Sequence, residues 1–352
     1  MSEKIAVAMS GGVDSSVSAF LLKKANFEVH GVTFYLFDSK NSEKAVKDAK
    51  KVAESIGIHH FVLDLTREFK SKVIDYFVSE YTNGRTPNPC VICNKNIKFG
   101  VALEKLLNLG FKKIATGHYT EITKLNNRFV IKKNNNNKDQ SYCFCLLNQE
   151  QISKIITPVS KFSKNQVREI AQNNNIFVWD KKDSQDICFI QNSYKDFLRE
   201  FGIKNKPGNF IDEDGNILGN HNGIFNYTVG QRRGLNISLG KRTYVKKINP
   251  VSNEITLSSR YAVKKIILKN INFVSFEFES EFLKKIISKN INIKICVRYN
   301  SQLSDAKIQI KNKNEAEIIF ENPVFNACPG QFAVCYHDNY LVFGGVIDKI
   351  EC

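Results

Sequence analysis

The sequence predicts an α/β fold with three parts: an N-terminal parallel sheet covered by helices, a small central domain and a C-terminal antiparallel β-barrel. Three observations predict it. Up to about residue 118, apolar runs of strand length alternate with helical stretches. Near Lys206-Pro207-Gly208 the pattern shifts to short strands divided by Gly and Asn turns. From about residue 264 onward, short alternating strands continue to the end of the chain. The domains are expected at 1–197, 198–263 and 264–352.

In order, a strand over 5–9 precedes a helix over 14–25, a strand over 29–37 precedes a helix over 43–56, and a strand over 61–65 precedes a helix over 68–81. A strand over 112–119 closes this series. Such alternation puts helices on both faces of a parallel sheet, whose ligand sits beyond the C-terminal ends of the strands. Between these units a proline-stiffened loop, 85–93, runs into a helix expected over 94–107. The Asn-rich tract at 132–138 reads as a surface loop, and 194–203 as a helix. Barrel strands are expected at 291–299, 306–311, 315–320, 332–336 and 340–347, with His337-Asp338-Asn339 joining the last two.

The 352 residues suffice for two or three cores. With 51 Lys+Arg against 35 Asp+Glu the formal net charge is +16, so an extended polyanion such as RNA is a natural partner, although Lys- and Asn-rich coding could account for part of the surplus. No segment offers the ~18 apolar residues of a membrane span, and MSEKIAVAM carries no signal-peptide pattern, so a cytoplasmic protein is expected. Its nine cysteines are then mostly reduced, and clustered ones point to chemistry or metal rather than to staples.

Two constellations carry chemistry. In the first, Ala8-Met9-Ser10-Gly11-Gly12-Val13-Asp14-Ser15 joins a strand to a helix. Gly11 and Gly12 let the backbone approach an anion, the helix N-terminus aims unpaired N–H groups at it, and Asp14 could hold Mg2+. No Walker lysine is present, so this is a polyphosphate seat of another kind. The plainer alternative is that Ser10 or Asp14 merely caps the helix. In the second, Cys90 and Cys93 lie where the proline-rich loop enters its helix. A helix N-terminus with Arg85, Lys95 and Lys98 nearby favours a Cys93 thiolate and hence a nucleophile. The alternative is a zinc site made by Cys90 and Cys93 with Cys143 and Cys145. Cys188, in the apolar stretch after a charged turn, would by itself read as a core cysteine.

SGGVDS in its strand-to-helix context resembles the PP-loop ATP pyrophosphatases, enzymes of adenine nucleotide alpha hydrolase-like fold that adenylate a substrate and release pyrophosphate. TPNPCVICN followed by IKF, TGHY at 116–119, KDQSY at 138–142, DSQDICFI at 183–190, YTVGQRRGL at 227–235, PGQ at 329–331 and GGVI at 344–347 extend the likeness over nearly the whole chain. Together they are similar to the bacterial tRNA 2-thiouridylase family. The resemblance implies ATP-dependent adenylation of the wobble uridine, position 34, of tRNAs for Lys, Glu and Gln, followed by replacement of its 2-oxygen by sulfur, with release of AMP and pyrophosphate. The cofactors it implies are ATP and Mg2+.

Carried onto this sequence, Cys188 matches the cysteine that receives a persulfide from a donor protein, a cysteine desulfurase or a relay carrier, and Cys93 its partner nucleophile, the two ending as a transient disulfide. Release of free sulfide by Cys93 is a second route, and both stay open. Residues 8–15, Phe34 and Gly117 match the ATP pocket; Asn88, Pro89 and Cys90 match the stretch that meets the flipped base; His118, Lys138, Asp139, Gln140, Arg298, Tyr299 and Gln331 match tRNA contacts. Where this chain has Cys90 many members carry Asp, so an acid–base role there is in doubt, and Phe34 replaces a frequent Met. His118 could instead satisfy buried backbone groups, Arg232 and Arg233 could touch phosphate or be a solvated turn, and Asp183 and Asp186 are expected to shape the Cys188 loop. Competing functions are a 4-thiouridine synthetase, an amide-forming ligase, or a zinc-stabilised RNA-binding protein without catalysis.

Overall fold

A computed structural model of the chain describes residues 3–134, 138–182, 187–237, 239–277, 280 and 293–352. Asp183 and Asp186 and the middle of the Asn tract lie outside the described residues. The predicted alternation is present. β1 (Lys4–Ala8) leads into the helix Val13–Lys24, β2 (Glu28–Tyr35) into the helix Lys40–Ile56, and β3 (His59–Asp64) into helical chain over 66–82; β4 (Lys113–Ala115) follows. A hairpin, β5 (Glu121–Leu125) and β6 (Arg128–Lys132), comes next, and β7 (Ile155–Ile156) returns to the parallel sheet. That sheet runs β3-β2-β1-β4-β7 with all pairs parallel. Ile5, Ala6 and Val7 of β1 are fully buried, as a central strand covered on both faces must be. The chain moves outward from β1 in one direction through β2 and β3 and in the other through β4, so the crevice beside β1 is the switch point where an open α/β sheet binds its ligand.

The helix expected over 94–107 starts earlier. Pro89–Cys93, a π-helical stretch Asn94–Val101 and Ala102–Asn108 form one helical run. It begins at Pro89 because Asn88 caps it, its Oδ1 accepting from the Cys90 and Val91 N–H groups at 3.1 and 3.3 Å, with proline at the first helical position where no donor is needed.

The central sheet comprises β8 (Gly208–Ile211), β9 (Ile217–His221), β10 (Tyr244–Asn249) and β11 (Glu254–Ser258), in the order β10-β11-β8-β9. The C-terminal strands are β12 (Val263–Phe273), β13 (Ile293–Cys296), β14 (Ser304–Asn312), β15 (Glu315–Val324), β16 (Phe332–His337) and β17 (Tyr340–Glu351). Their order, β12-β15-β14-β13-β16-β17 with β17 pairing back to β12, closes the expected barrel. Asp338 and Asn339 both take left-handed backbone at φ 46 and 65, the primed turn that suits a two-residue hairpin.

The β5–β6 hairpin was not expected, and it joins the two ends of the chain. Its β6 reaches β17 through Lys132 opposite Tyr340, and the Ile131 N–H donates to Ser275 Oγ at 3.0 Å. One apolar cluster then runs from Phe99, Tyr142 and Phe144 to Phe332, Val334 and Leu341 of the barrel. The barrel is therefore packed directly against the half that carries the parallel sheet. Among the described residues no helix is long and apolar enough to cross a membrane.

Candidate active site

At the β1 edge the backbone shapes an anion seat. Gly11 sits at φ +68, and a Cβ there would lie 2.6 Å from the Ala45 carbonyl oxygen, so both conformation and space require glycine. Gly12, not Ser10 or Asp14, is the N-cap of the helix Val13–Lys24, and it offers no side chain to the first N–H groups. Ser15 Oγ accepts from the Ser10 N–H at 3.2 Å and Ser16 Oγ donates to the Gly12 carbonyl at 2.8 Å, fixing the loop while leaving those donors open. Ala8 ends β1; Met9 and Val13 are buried and fill the core beneath the loop. Phe34 stands near the end of β2. Gly117 presses on the helix from beyond β4: a Cβ there would fall 2.7 Å from Ser15 N and 2.9 Å from Asp14 Cβ. Gly117→Ala is thus expected to push the helix start out of place at a cost of about 1–3 kcal/mol, seen as a loss of ATP affinity of tenfold or more in equilibrium binding.

Two lysines absent from the sequence-based site meet here. Lys164, first residue of the helix Lys164–Asn173, donates from Nζ to both Asp14 carboxylate oxygens at 2.8 Å, and Tyr119 OH donates to Oδ1 at 2.6 Å. Lys181 donates to the Gly11 carbonyl at 2.8 Å and to Asp48 Oδ2 at 2.7 Å. A metal at Asp14 would have to share or displace Lys164. The carboxylate suits Mg2+ only if that ammonium moves, for instance onto incoming phosphate.

The thiols form the second half of the site. Phe189 anchors the segment that carries Cys188: it is buried, with its ring 5.7 Å from Phe69 and 5.3 Å from Phe77 in edge contacts. Burying such a ring stabilises by about 1.5–3 kcal/mol, so Cys188 is held by its neighbour Phe189, which packs in the same cluster as Cys93. Cys188 is exposed rather than a core cysteine, yet enough protein crowds it that burial raises its thiol to about 11. Burial raises Cys93 to about 12, with Cys188 and Cys90 adding to the shift. This corrects the expectation of a Cys93 thiolate. Cys93 is the last residue of the helical turn Pro89–Cys93 instead of lying at its open end, Arg85 is engaged by Glu80 at 2.9 Å and by the Ile347 carbonyl at 3.2 Å, and only Lys98 pulls the thiol down. Lys98 acts in the same sense on Cys90, Cys143 and Cys188.

Shared packing links the nucleotide edge to the thiols. Phe34 packs against the clusters that contain Cys93 and Phe99, and His118, next to Gly117, feels Lys98. His118 shares a hydrogen bond between Nδ1 and Thr116 Oγ1 at 2.8 Å, with its ring between Phe99 and Phe144. Burial holds it well below the usual imidazole range, so it is neutral at pH 7. Asn94 was missed by sequence reasoning: its Nδ2 donates to the Cys143 carbonyl at 3.1 Å while its buried Oδ1 has no partner among the described residues. An orphan acceptor in that place calls for a donor.

Gln140 Oε1 accepts from the Tyr119 N–H at 3.0 Å, and Asp139, raised by burial, accepts from Ser141 Oγ at 2.7 Å and from the Asn134 N–H at 2.8 Å, so both shape the loop; Lys138 stays exposed. Tyr299 lies 6.0 Å from the Tyr142 ring, and the neighbouring Arg298 is exposed. Gln331, which the resemblance matches to an RNA contact, has a bracing task in the chain itself. It is buried, and its Nε2 donates to the Thr86 and Pro87 carbonyls at 2.9 and 3.1 Å, while the Thr86 N–H donates to Pro329 O at 2.9 Å. Gly344 lies against Cys145, where a Cβ would come within 2.9 Å of the sulfur. PGQ and GGVI are therefore the barrel's grip on the catalytic loops. The zinc alternative has no counterpart: among the described residues no group of three or more His, Cys, Asp or Glu is placed to hold a metal, and Cys145 is sealed under Gly344.

This sheet and this loop define a nucleotide-binding α/β enzyme of the HUP class, and residues 3–192 match the family described as tRNA methyl transferase HUP domain, with 195–259 matching its PRC-barrel domain and 263–347 an aminomethyltransferase β-barrel domain. Relatives named tRNA-specific 2-thiouridylase MnmA are 42% identical in Lachnoclostridium phytofermentans (99% of this chain, 100% of the relative), 41% in Clostridium botulinum strain Loch Maree (98% of each; there MnmA 2) and 39% in Clostridium kluyveri (99% and 100%). The chain belongs to the tRNA-specific 2-thiouridylase family.

Proposed function

We infer that the protein is an ATP-dependent tRNA 2-thiouridylase acting on the wobble uridine, position 34, of tRNAs for Lys, Glu and Gln in the cytoplasm. The observation that carries this reading is that Cys93 and Cys188 lie close enough to act on one another, with Cys93 in a cluster that also packs against Phe34 near the edge of the glycine-shaped anion loop. A uracil C2 carbonyl is a poor electrophile, and oxide is a poor leaving group. Transfer of AMP to that oxygen, with loss of pyrophosphate, gives an O-adenylate whose phosphate can depart. The helix N-terminus behind Gly11 and Gly12, with Ser10, Ser15 and Lys181, receives the phosphates. Phe34 and Gly117 line the adenosine side. Mg2+, held by Asp14, would neutralise charge on the pyrophosphate.

The terminal sulfur of a Cys188 persulfide, supplied by a cysteine desulfurase or relay carrier, attacks C2 and expels AMP. Cys93 then attacks the Cys188 sulfur, leaving sulfur on the base and a Cys93–Cys188 disulfide. Alternatively Cys93 attacks the persulfide first, and the sulfide it frees does the substitution. Asn88, Pro89 and Cys90 border the space for a splayed base, and the orphan Asn94 acceptor suits the uracil N3–H. His118, Lys138, Asp139, Gln140, Arg298 and Tyr299 face or shape the RNA side, and exposed Arg232 and Arg233 reach phosphate.

The test is mass analysis of nucleosides after incubation of tRNA with the chain, ATP and a persulfide source. 2-Thiouridine at the wobble position supports the reading, whereas 4-thiouridine or no thiolation overturns it. The +16 charge adds a second expectation: tRNA affinity falls steeply between about 50 and about 200 mM salt, and a flat response in filter binding would remove phosphate contacts from the account.

A further inference from the structure

We propose that Cys90 is a third working thiol, which attacks the Cys93 sulfur of the spent Cys93–Cys188 disulfide, freeing Cys188 and leaving an oxidised Cys90–Cys93 pair in the first turn of the helix. This rests on the sulfur-transfer reading above, because that chemistry creates the disulfide. The geometry is a triangle. Cys90 and Cys93 are three residues apart in one helical turn and so share a face. Cys188 stands opposite, close enough that its charge is felt at Cys93 and that of Cys90 is felt at both. Cys93 is buried while Cys90 and Cys188 are both exposed, so moving the oxidation onto Cys90 and Cys93 keeps one sulfur facing solvent for a reductant and frees Cys188 for the next persulfide.

The exchange is balanced. The Cys90 thiolate forms a bond to Cys93 sulfur, the Cys93–Cys188 bond breaks, and the Cys90 proton ends on Cys188. A protein or small-molecule dithiol then reduces the Cys90–Cys93 bond and is itself oxidised to a disulfide. Position sets the direction. Burial raises the Cys90 thiol, Lys98 draws it back, and Cys90 sits nearest the positive end of the helix. Cys93 shares the helical turn with Cys90, so attack falls on the Cys93 sulfur and Cys188 is the thiolate that departs.

Closing a disulfide across one helical turn draws the Cβ atoms from about 5–6 Å to about 3.8 Å. The first turn tolerates this best, since the Cys90 and Val91 N–H groups are held by the Asn88 side chain rather than by helix carbonyls. A side chain unable to exchange disulfides, such as Asp, would leave Cys188 to be released by the external reductant alone.

The experiment is one turnover of the full chain with ATP, tRNA and a persulfide donor, without reductant, followed by an acid quench, alkylation and tryptic mapping. The peptide 86–95 carries both Cys90 and Cys93. It is expected intact, unalkylated and lighter by two hydrogens, with Cys188 alkylated. In Cys90→Ser the oxidised product should shift to a cross-link between this peptide and the one bearing Cys188. With a dithiol reductant, this variant should lose several-fold more of its steady-state rate than of its single-turnover rate. Thiolated tRNA together with a Cys93–Cys188 or Cys90–Cys188 cross-link in the unsubstituted chain overturns the exchange and leaves the function standing. Absence of both thiolation and oxidation overturns the function itself.

Discussion

Cys188→Ser is expected to abolish 2-thiouridine formation while pyrophosphate release continues, because serine cannot carry a persulfide although the nucleotide edge is untouched. Cys93→Ser should also form no free product, but for a different reason. If the persulfide attacks C2 directly, this variant traps tRNA covalently on Cys188 through a disulfide-linked sulfur, visible as a band that thiol reductant removes. If free sulfide is the nucleophile, no adduct appears. Each loss should exceed about a thousandfold, the scale on which removal of a covalent nucleophile acts. tRNA affinity should change little, since Cys93 is buried and offers no charge to a phosphate. The acidity of Cys93 adds a signature. With its thiol near 12, the reactive thiolate fraction grows about tenfold per pH unit between pH 7 and pH 9, so the single-turnover rate should climb with that slope. Retained thiolation in either serine variant would remove the two-thiol scheme, and a flat pH profile would remove Cys93 as the rate-setting nucleophile.

What the sequence disclosed, it disclosed through local signals. The alternation of apolar runs with helical stretches disclosed four of the five strands of the parallel sheet to within a few residues, because strand and helix periods are written in consecutive residues, while the two-residue edge strand β7 is too short to leave a period. Gly11 could be read because its left-handed backbone leaves a mark in one position. The β5–β6 hairpin was legible too: EITKL and RFVIK flank Asn126-Asn127, both at positive φ, a primed turn in plain view that was passed over beside the Asn tract. Other features had no local trace. Lys164 and Asp14 are 150 positions apart, and Lys181 and Gly11 are 170 apart. Nothing in the neighbourhood of either lysine distinguishes it from the many others in a chain of net charge +16. Gln331 matches an RNA contact by its motif, and its amide also holds the loop that carries Asn88, a brace visible only once barrel and loop are in contact. The Cys93 thiolate failed for a related reason: basic residues close in sequence do not face the sulfur, and burial outweighs Lys98.

Asp14→Ala should stop pyrophosphate release almost entirely, and Lys164→Met should damage it in a different way. In the structure the two side chains neutralise each other, with Lys164 only 13% and Asp14 31% exposed, so removing either leaves the other charge short of compensation. A purely structural pair would make the variants alike: both less stable, both with ATP affinity reduced in proportion. A functional pair separates them. If Lys164 leaves Asp14 for a phosphate when nucleotide arrives, Lys164→Met loses ATP affinity by about tenfold to a hundredfold, a range of about 1.4–2.7 kcal/mol. Such a variant would still release pyrophosphate at high ATP, with Asp14 free for Mg2+ at lower metal concentration than in the unsubstituted chain. Asp14→Ala, by contrast, would be unrescued by ATP or Mg2+ because the carboxylate itself is gone. Measuring pyrophosphate release against both concentrations distinguishes the cases. The lysine's exchange between carboxylate and phosphate would be refuted by Lys164→Met needing more Mg2+ than the unsubstituted chain, and Asp14 would leave the nucleotide site altogether if Asp14→Ala released pyrophosphate at the normal rate.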